Sequence, residues 1–112
     1  MRSDELLSSR ITLTNAKIIQ GPNIADHALA LLLTMTRGID RAVLDRAKAE
    51  WPQASRYKPI ELRGKTAVIV GVGGIGTQIA VRAGAFGMRI LGVDPKDVPY
   101  TREIEKVLPP DR

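Results

Sequence analysis

Apolar and polar positions change period several times along this chain, and each change marks an element. Ile11-Thr12-Leu13-Thr14 alternates as a short strand does, and Lys17-Ile18-Ile19-Gln20 extends the pattern. Gly21-Pro22 breaks it. Asn23 then suits the N-cap of a long helix, and Asp26, three residues on, is spaced to reach back as the acid of a capping box. The pattern predicts that this helix runs to about Glu50 and stops before Pro52. Its first half, with Ile24, Ala25, Ala28, Leu29, Leu31, Leu32, Leu33 and Met35, is apolar almost all round. A helix without a polar stripe must be surrounded by protein, so this half is a core or interface helix. The second half is amphipathic, with Ile39, Ala42, Val43, Ala47 and Trp51 on one side. Gly38, between the halves, costs about 1 kcal/mol relative to alanine and marks a bend or a close contact.

Pro52, Ser55, Pro59 and Gly64 make the next stretch a loop. Thr66-Ala67-Val68-Ile69-Val70 is a short β-branched run between glycines, the pattern of a parallel strand buried on both faces. After a cluster of glycines, Ile75, Ile79, Ala83 and Phe86 fall on one face of a helix from about Ile75 to Phe86, with Gly87 at its C′ position. Met88 to Val93 reads as a second strand, ending at Asp94-Pro95. Thr101 to Leu108 reads as the start of another helix, cut off by Pro109-Pro110.

Composition narrows the functional classes. A length of 112 residues allows one domain or less. With 44% hydrophobic and 26% charged residues the chain is neither disordered nor fibrous. The absence of cysteine removes disulfides, thiolate metal sites and cysteine nucleophiles, and a single histidine, His27, removes a histidine-rich zinc site. The longest apolar run, Ala28 to Leu33, is far short of the roughly 20 residues of a membrane span. Asp4 and Glu5 precede any apolar stretch, which is unlike a signal peptide, so the expected location is the cytoplasm with no membrane partner. The net charge of +5 raises a nucleic-acid surface as an alternative. Between Arg37 and Lys65, however, eight bases interleave with four acids and only Trp51 and Tyr57 are available to stack on bases. That pattern is a solvated helix face and loop, with no nucleic acid as partner.

The glycines carry the candidate chemistry. Gly71-Val72-Gly73-Gly74-Ile75-Gly76 matches G-x-G-x-x-G, follows a predicted strand and opens a predicted helix. Gly71 permits the tight turn, Gly73 lets the backbone approach a pyrophosphate, and Gly76 lets the helix pack on the strand. The free amides near Gly74 and Ile75, with the positive end of the helix dipole, form an anion site. Asp94, at the carboxyl end of the second strand, is placed to accept hydrogen bonds from an adenosine ribose and to repel a 2′-phosphate, which favours NAD over NADP, although Lys96 lies close by.

Taken together, these residues resemble the NAD-dependent D-isomer-specific 2-hydroxyacid dehydrogenases. The matching pieces are Thr14-Asn15-Ala16, Ile24 to Leu33, Arg37-Gly38, Trp51, Glu61 to Thr66, the glycine turn, Arg82 to Met88, and Val93-Asp94-Pro95. The resemblance implies an α/β, Rossmann-type NAD-binding domain that is incomplete, a long crossover helix plus one βαβ unit. Residues 1–22 are then a remnant of the connection to a substrate domain and residues 23–112 a partial cofactor domain. It also implies that the backbone at Gly74 and Ile75 holds the pyrophosphate and Asp94 the ribose. Many family members carry arginine where this chain has Gly74, so one side-chain contact to phosphate is missing. The family transfers a hydride between NAD and a 2-hydroxy or 2-oxo acid, using an arginine and a histidine–glutamate pair that lie downstream of the matched region. His27, Arg37 and Arg41 match none of them. His27 is expected to be packed or capping, the two arginines to lie on the surface or at a dimer contact, and the isolated chain to be inactive.

Two parallel strands alone are marginal in water. A homodimer through residues 24–50 is therefore expected, its all-round apolar half being the contact. Alternatives are a non-catalytic NAD-sensing dimerisation or co-repressor-like module, and a different adenine cofactor, such as FAD, at the same turn.

Overall fold

In the computed structural model, which describes residues 4–16, 19–51, 58–97 and 101–111, the elements run in this order: α1 (Asp4–Ser8), α2 (Gly21–Arg37), α3 (Ile39–Ala47), β1 (Thr66–Val70), α4 (Gly74–Ala85), β2 (Arg89–Val93) and β3 (Ile104–Leu108). Part of the expected Lys17–Gln20 strand extension, and Pro52 and Ser55 of the expected loop, lie outside the described residues.

The long helix begins three residues earlier than the Asn23 cap implies. Gln20 is its N-cap, without a side-chain cap bond, and Pro22 occupies the first turn. Proline suits that place because its φ is preset and the first turn needs no amide donor. Asp26 does not close a capping box. Its carboxylate accepts from Arg82 Nε of α4, tying the two helices together. The single helix to Glu50 is in fact two. Gly38 takes φ +66, a left-handed conformation that closes α2 with a hydrogen bond to Thr34 O, and α3 restarts at Ile39 and ends at Ala47. Residues 11–14 form no strand. Ile11 and Leu13 are exposed, with no neighbouring strand to accept their backbone groups among the described residues.

β1 pairs with β2 in parallel, Thr66 opposite Arg89 through Val70 opposite Val93. The expected helix over Thr101–Leu108 is instead a third parallel strand, giving the sheet order β1-β2-β3 and one strand more than the expected unit. Glu105 and Lys106 favour a helix locally, but the open edge of β2 and burial of Ile104 override that preference. A register shift between Ile90 and Leu91 leaves Glu105 as the extra residue of a bulge, where it takes a two-pronged ion pair from Arg89.

α4 covers one face of this sheet. Ile69, Val72, Ala80, Ala83, Ile90 and Ile104 form the core. The stripe α4 buries is Gly76, Ala80 and Ala83, not the predicted Ile75–Phe86 face, since Ile75 and Phe86 remain partly exposed. Small residues bring the helix axis close to the strands. Val72 packs on Gly92, where a Cβ would lie 2.7 Å from Val72 Cγ2 and 3.1 Å from Val107 Cγ2. α2 lies on the outer side of α4 through Gly21, Ala25 and Leu29.

The expectation of a strand buried on both faces fails. Val68 and Val70 are 59% and 82% exposed, because nothing among the described residues covers the second face of the sheet. Half of α2 is likewise bare, with Leu31 and Met35 exposed. The radius of gyration, 19.5 Å, exceeds the roughly 13 Å of a compact chain of this length.

Two outcomes follow from the packing. Gly92→Ala overpacks the Val72 contact and is expected to cost about 1–3 kcal/mol, read as a lower urea midpoint. The hydrogen bond from Arg89 holds the Glu105 carboxyl below its usual range, with partial desolvation opposing. A lowered folded-state value stabilises above the unfolded carboxyl range and is lost as pH falls through the folded value. The wild type is therefore expected to lose thermal stability on acidification through and below pH of about 4 more steeply than Glu105→Gln.

Candidate functional site

The joint between β1 and α4 is built almost wholly from backbone. Gly71 has φ +91, so the chain turns out of β1 through a conformation that strongly favours glycine. Its amide donates to Val93 O at 2.7 Å, pinning the turn to the end of β2. Val72 sends its side chain into the core. Gly73 is the N-cap of α4, extended, with no side-chain cap bond, and a Cβ there would meet nothing within 4 Å. Gly76 is the opposite case. A Cβ would lie 2.0 Å from Gly71 O and 3.1 Å from Ile69 Cγ2, so only glycine allows the first turn of α4 to sit on the strand. One glycine is required by protein packing, the other leaves room for something that is not protein.

A cleft of about 480 Å³ opens at this joint. Gly71, Gly73, Gly74, Ile75 and Gly76 line one side and Ala16, Gln20, Gly21 and Ile24 the other. Two helices start here, since a Cβ on Gly21 would come within 3.0 Å of Gly74 O. Neither carries an acid in its first turn. The first amides of a helix have no acceptor within it, and both positive dipole ends point toward the same space. The cleft is therefore suited to an anion held by main-chain donors, with apolar walls at Ile24 and Ile75.

Asp94 lies at the end of β2 beside the turn. Its Oδ2 accepts from the Val72 amide and its Oδ1 from the Lys96 amide, each at 2.9 Å. Each oxygen keeps a lone pair, so the carboxylate can still accept from a vicinal diol. Lys96 is exposed.

All five glycine-turn residues singled out in the sequence share the cleft, and Asp94 touches the turn that forms it. The opposite wall was not foreseen. Gly21-Pro22 read as a chain break, although proline in a first helical turn is also a start signal, and it places Gln20, Gly21 and Ile24 on the cleft. His27 is neither packed nor capping. It is exposed on α2 and does not line the cleft. Arg37 lines a different groove, with Leu33, Ile60 and Phe86.

No helix among the described residues is long and apolar enough to cross a membrane. Residues 29–110 match the family described as "D-isomer specific 2-hydroxyacid dehydrogenase, NAD binding domain". A D-3-phosphoglycerate dehydrogenase of Methanocaldococcus jannaschii is 38% identical over 100 residues, covering 87% of this chain and 19% of that protein. A glyoxylate reductase structure from Paecilomyes thermophila aligns with a TM-score of 0.70 at 30% identity, covering 82% of this chain and 28% of that one. An acyclic imino acid reductase in complex with NADPH and D-Arg aligns with a TM-score of 0.69 at 29% identity, covering 80% and 29%. The chain thus spans about a fifth of the length of the first relative and under a third of the two structures. With a glycine-built anion cleft between β1 and α4, a parallel sheet, and a match over most of its length, this chain belongs to the D-isomer specific 2-hydroxyacid dehydrogenase family and carries part of its NAD-binding domain.

Proposed function

We infer that this chain is the dinucleotide-holding part of an oxidoreductase that transfers a hydride between NAD and a 2-hydroxy or 2-oxo acid. The observation that carries this reading is the cleft at the β1–α4 joint, onto which two acid-free helix N-termini open and where Gly73 leaves room beside bare backbone. The bound dinucleotide supplies the hydride-carrying nicotinamide. The chain supplies the grip. Amides at Gly73, Gly74 and Ile75 hold the pyrophosphate, Gly71 and Gly76 shape the turn that presents them, and Asp94 accepts from the adenosine ribose.

Residues 1–22 are read as the connection to a substrate domain and residues 23–112 as the cofactor portion. On its own the chain binds cofactor and turns over nothing. The one histidine is exposed away from the cleft, and Arg37 lines another groove. The chain pairs with a second copy through residues 24–50, supported by the bare apolar side of α2 and by Val43 and Leu44, both exposed on α3.

Four expected outcomes check this reading. Calorimetric titration is expected to show NAD preferred over NADP, with Asp94→Ala weakening NAD and erasing most of the preference; equal affinities in both proteins would overturn the assignment. Gly73→Ala is expected to fold as the wild type does yet bind NAD about tenfold more weakly, because its methyl enters ligand space. Gly76→Ala is expected to lose stability by about 3 kcal/mol or more in denaturant melts, since its methyl collides with Gly71 O. Light scattering is expected to give a dimer for the wild type and a monomer for Leu31→Arg with Met35→Glu.

A further inference from the structure

Asp94 is tied into the protein before any ligand is considered. The Val72 amide donates to Oδ2 and the Lys96 amide to Oδ1, both at 2.9 Å. The second bond closes a short loop over Pro95, in which a side-chain oxygen imitates a backbone turn and the fixed φ of proline limits its freedom. That loop aims the carboxylate at the glycine turn.

The turn needs such a hold. Gly71, Gly73, Gly74 and Gly76 lie within six residues, and glycine loses more backbone freedom on ordering than any other residue. Of the two side chains in this stretch, Ile75 is exposed at the cleft and Val72 is buried, and Val72 is used twice. Its isopropyl group is buried against Gly92, and its amide is held by Asp94. With the Gly71 amide on Val93 O at 2.7 Å, two consecutive amides are fastened to the end of β2. The amides that follow then have a fixed starting direction from which to face the cleft.

We propose that Asp94 is a positioning residue for phosphate binding, its carboxylate clasping the Val72 amide so that the following amides are preset for a diphosphate. This role rests on the dinucleotide reading and is separate from any contact with the ribose. It makes a distinctive demand, that loss of the carboxylate weakens ligands that have no ribose hydroxyls at all. Asparagine at this position can accept through its one oxygen only, and its NH₂ would meet a backbone N–H, so one arm of the clasp is lost.

The test uses ADP and 2′,3′-dideoxy-ADP, titrated into wild type and Asp94→Asn, with amide hydrogen exchange at Val72 in the unliganded proteins. The expected result is that Asp94→Asn weakens both ligands, dideoxy-ADP by roughly tenfold, the scale of one hydrogen bond to a charged group. Exchange at Val72 accelerates while Ile90, in the core, keeps its protection. A loss confined to ADP, with dideoxy-ADP binding both proteins alike, would overturn the clasp and leave a ribose contact. A wild type that binds neither ligand would overturn the dinucleotide reading and the clasp with it. Should Asp94→Asn fail to fold, Pro95→Gly decides. It keeps the carboxylate but loosens its aim, and is expected to weaken dideoxy-ADP and speed Val72 exchange to a smaller degree; unchanged values in both would overturn the proposal.

Discussion

The structure depends on the contact between the first turn of α4 and the carbonyl of Gly71. Space for a Cβ at Gly76 does not exist, since it would lie 2.0 Å from that oxygen. Because the contact is backbone on backbone, α4 can leave β1 almost without a loop, Val72 can drop into the core, and the helix N-terminus is held beside the strand end. The same closeness makes α4 bury alanines where larger residues would stand off the sheet. A larger residue at position 76 would push the helix away, opening the core at Ile69 and dispersing the amides of the cleft. Stability and ligand binding therefore have one geometric origin here.

Around that joint the packing is one-sided. α4 covers one face of the sheet and α2 covers α4, but β1 presents Val68 and Val70 outward and α2 presents Leu31 and Met35. Apolar area of this kind contributes about 25 cal/mol per Å² only once it is removed from water. The two structural neighbours that share this fold are each well over twice as long as this chain. A parallel sheet wants both faces covered, and among the described residues the face that carries Val68 and Val70 is not.

Charge is arranged with similar economy around the cleft. Two helix starts converge without a carboxylate in either first turn, while Asp94, bonded to the turn, is held by main-chain donors. Asp26, one turn further along α2, is occupied by Arg82. Negative charge is thus kept off the floor of the cleft, where main-chain dipoles alone set the potential.

The sequence by itself determined what depends on neighbours a few positions apart. The β1 run, the turn glycines, the course of α4 and the strand after it were all legible, because β-branched clustering, helical spacing and a need for positive φ are local properties of Thr66–Val93. Family membership was legible for the same reason, being a long ordered series of such signals. Tertiary structure alone decided the rest. Ile104–Leu108 became a strand because β2 offered an open edge, against the helical preference of Glu105 and Lys106. Asp26 turned to Arg82 of α4 because a distant cation outweighed a local cap. Which face of an apolar segment meets protein, and which second wall closes a cleft, are set by elements far away in the chain, and period and composition carry no record of distance.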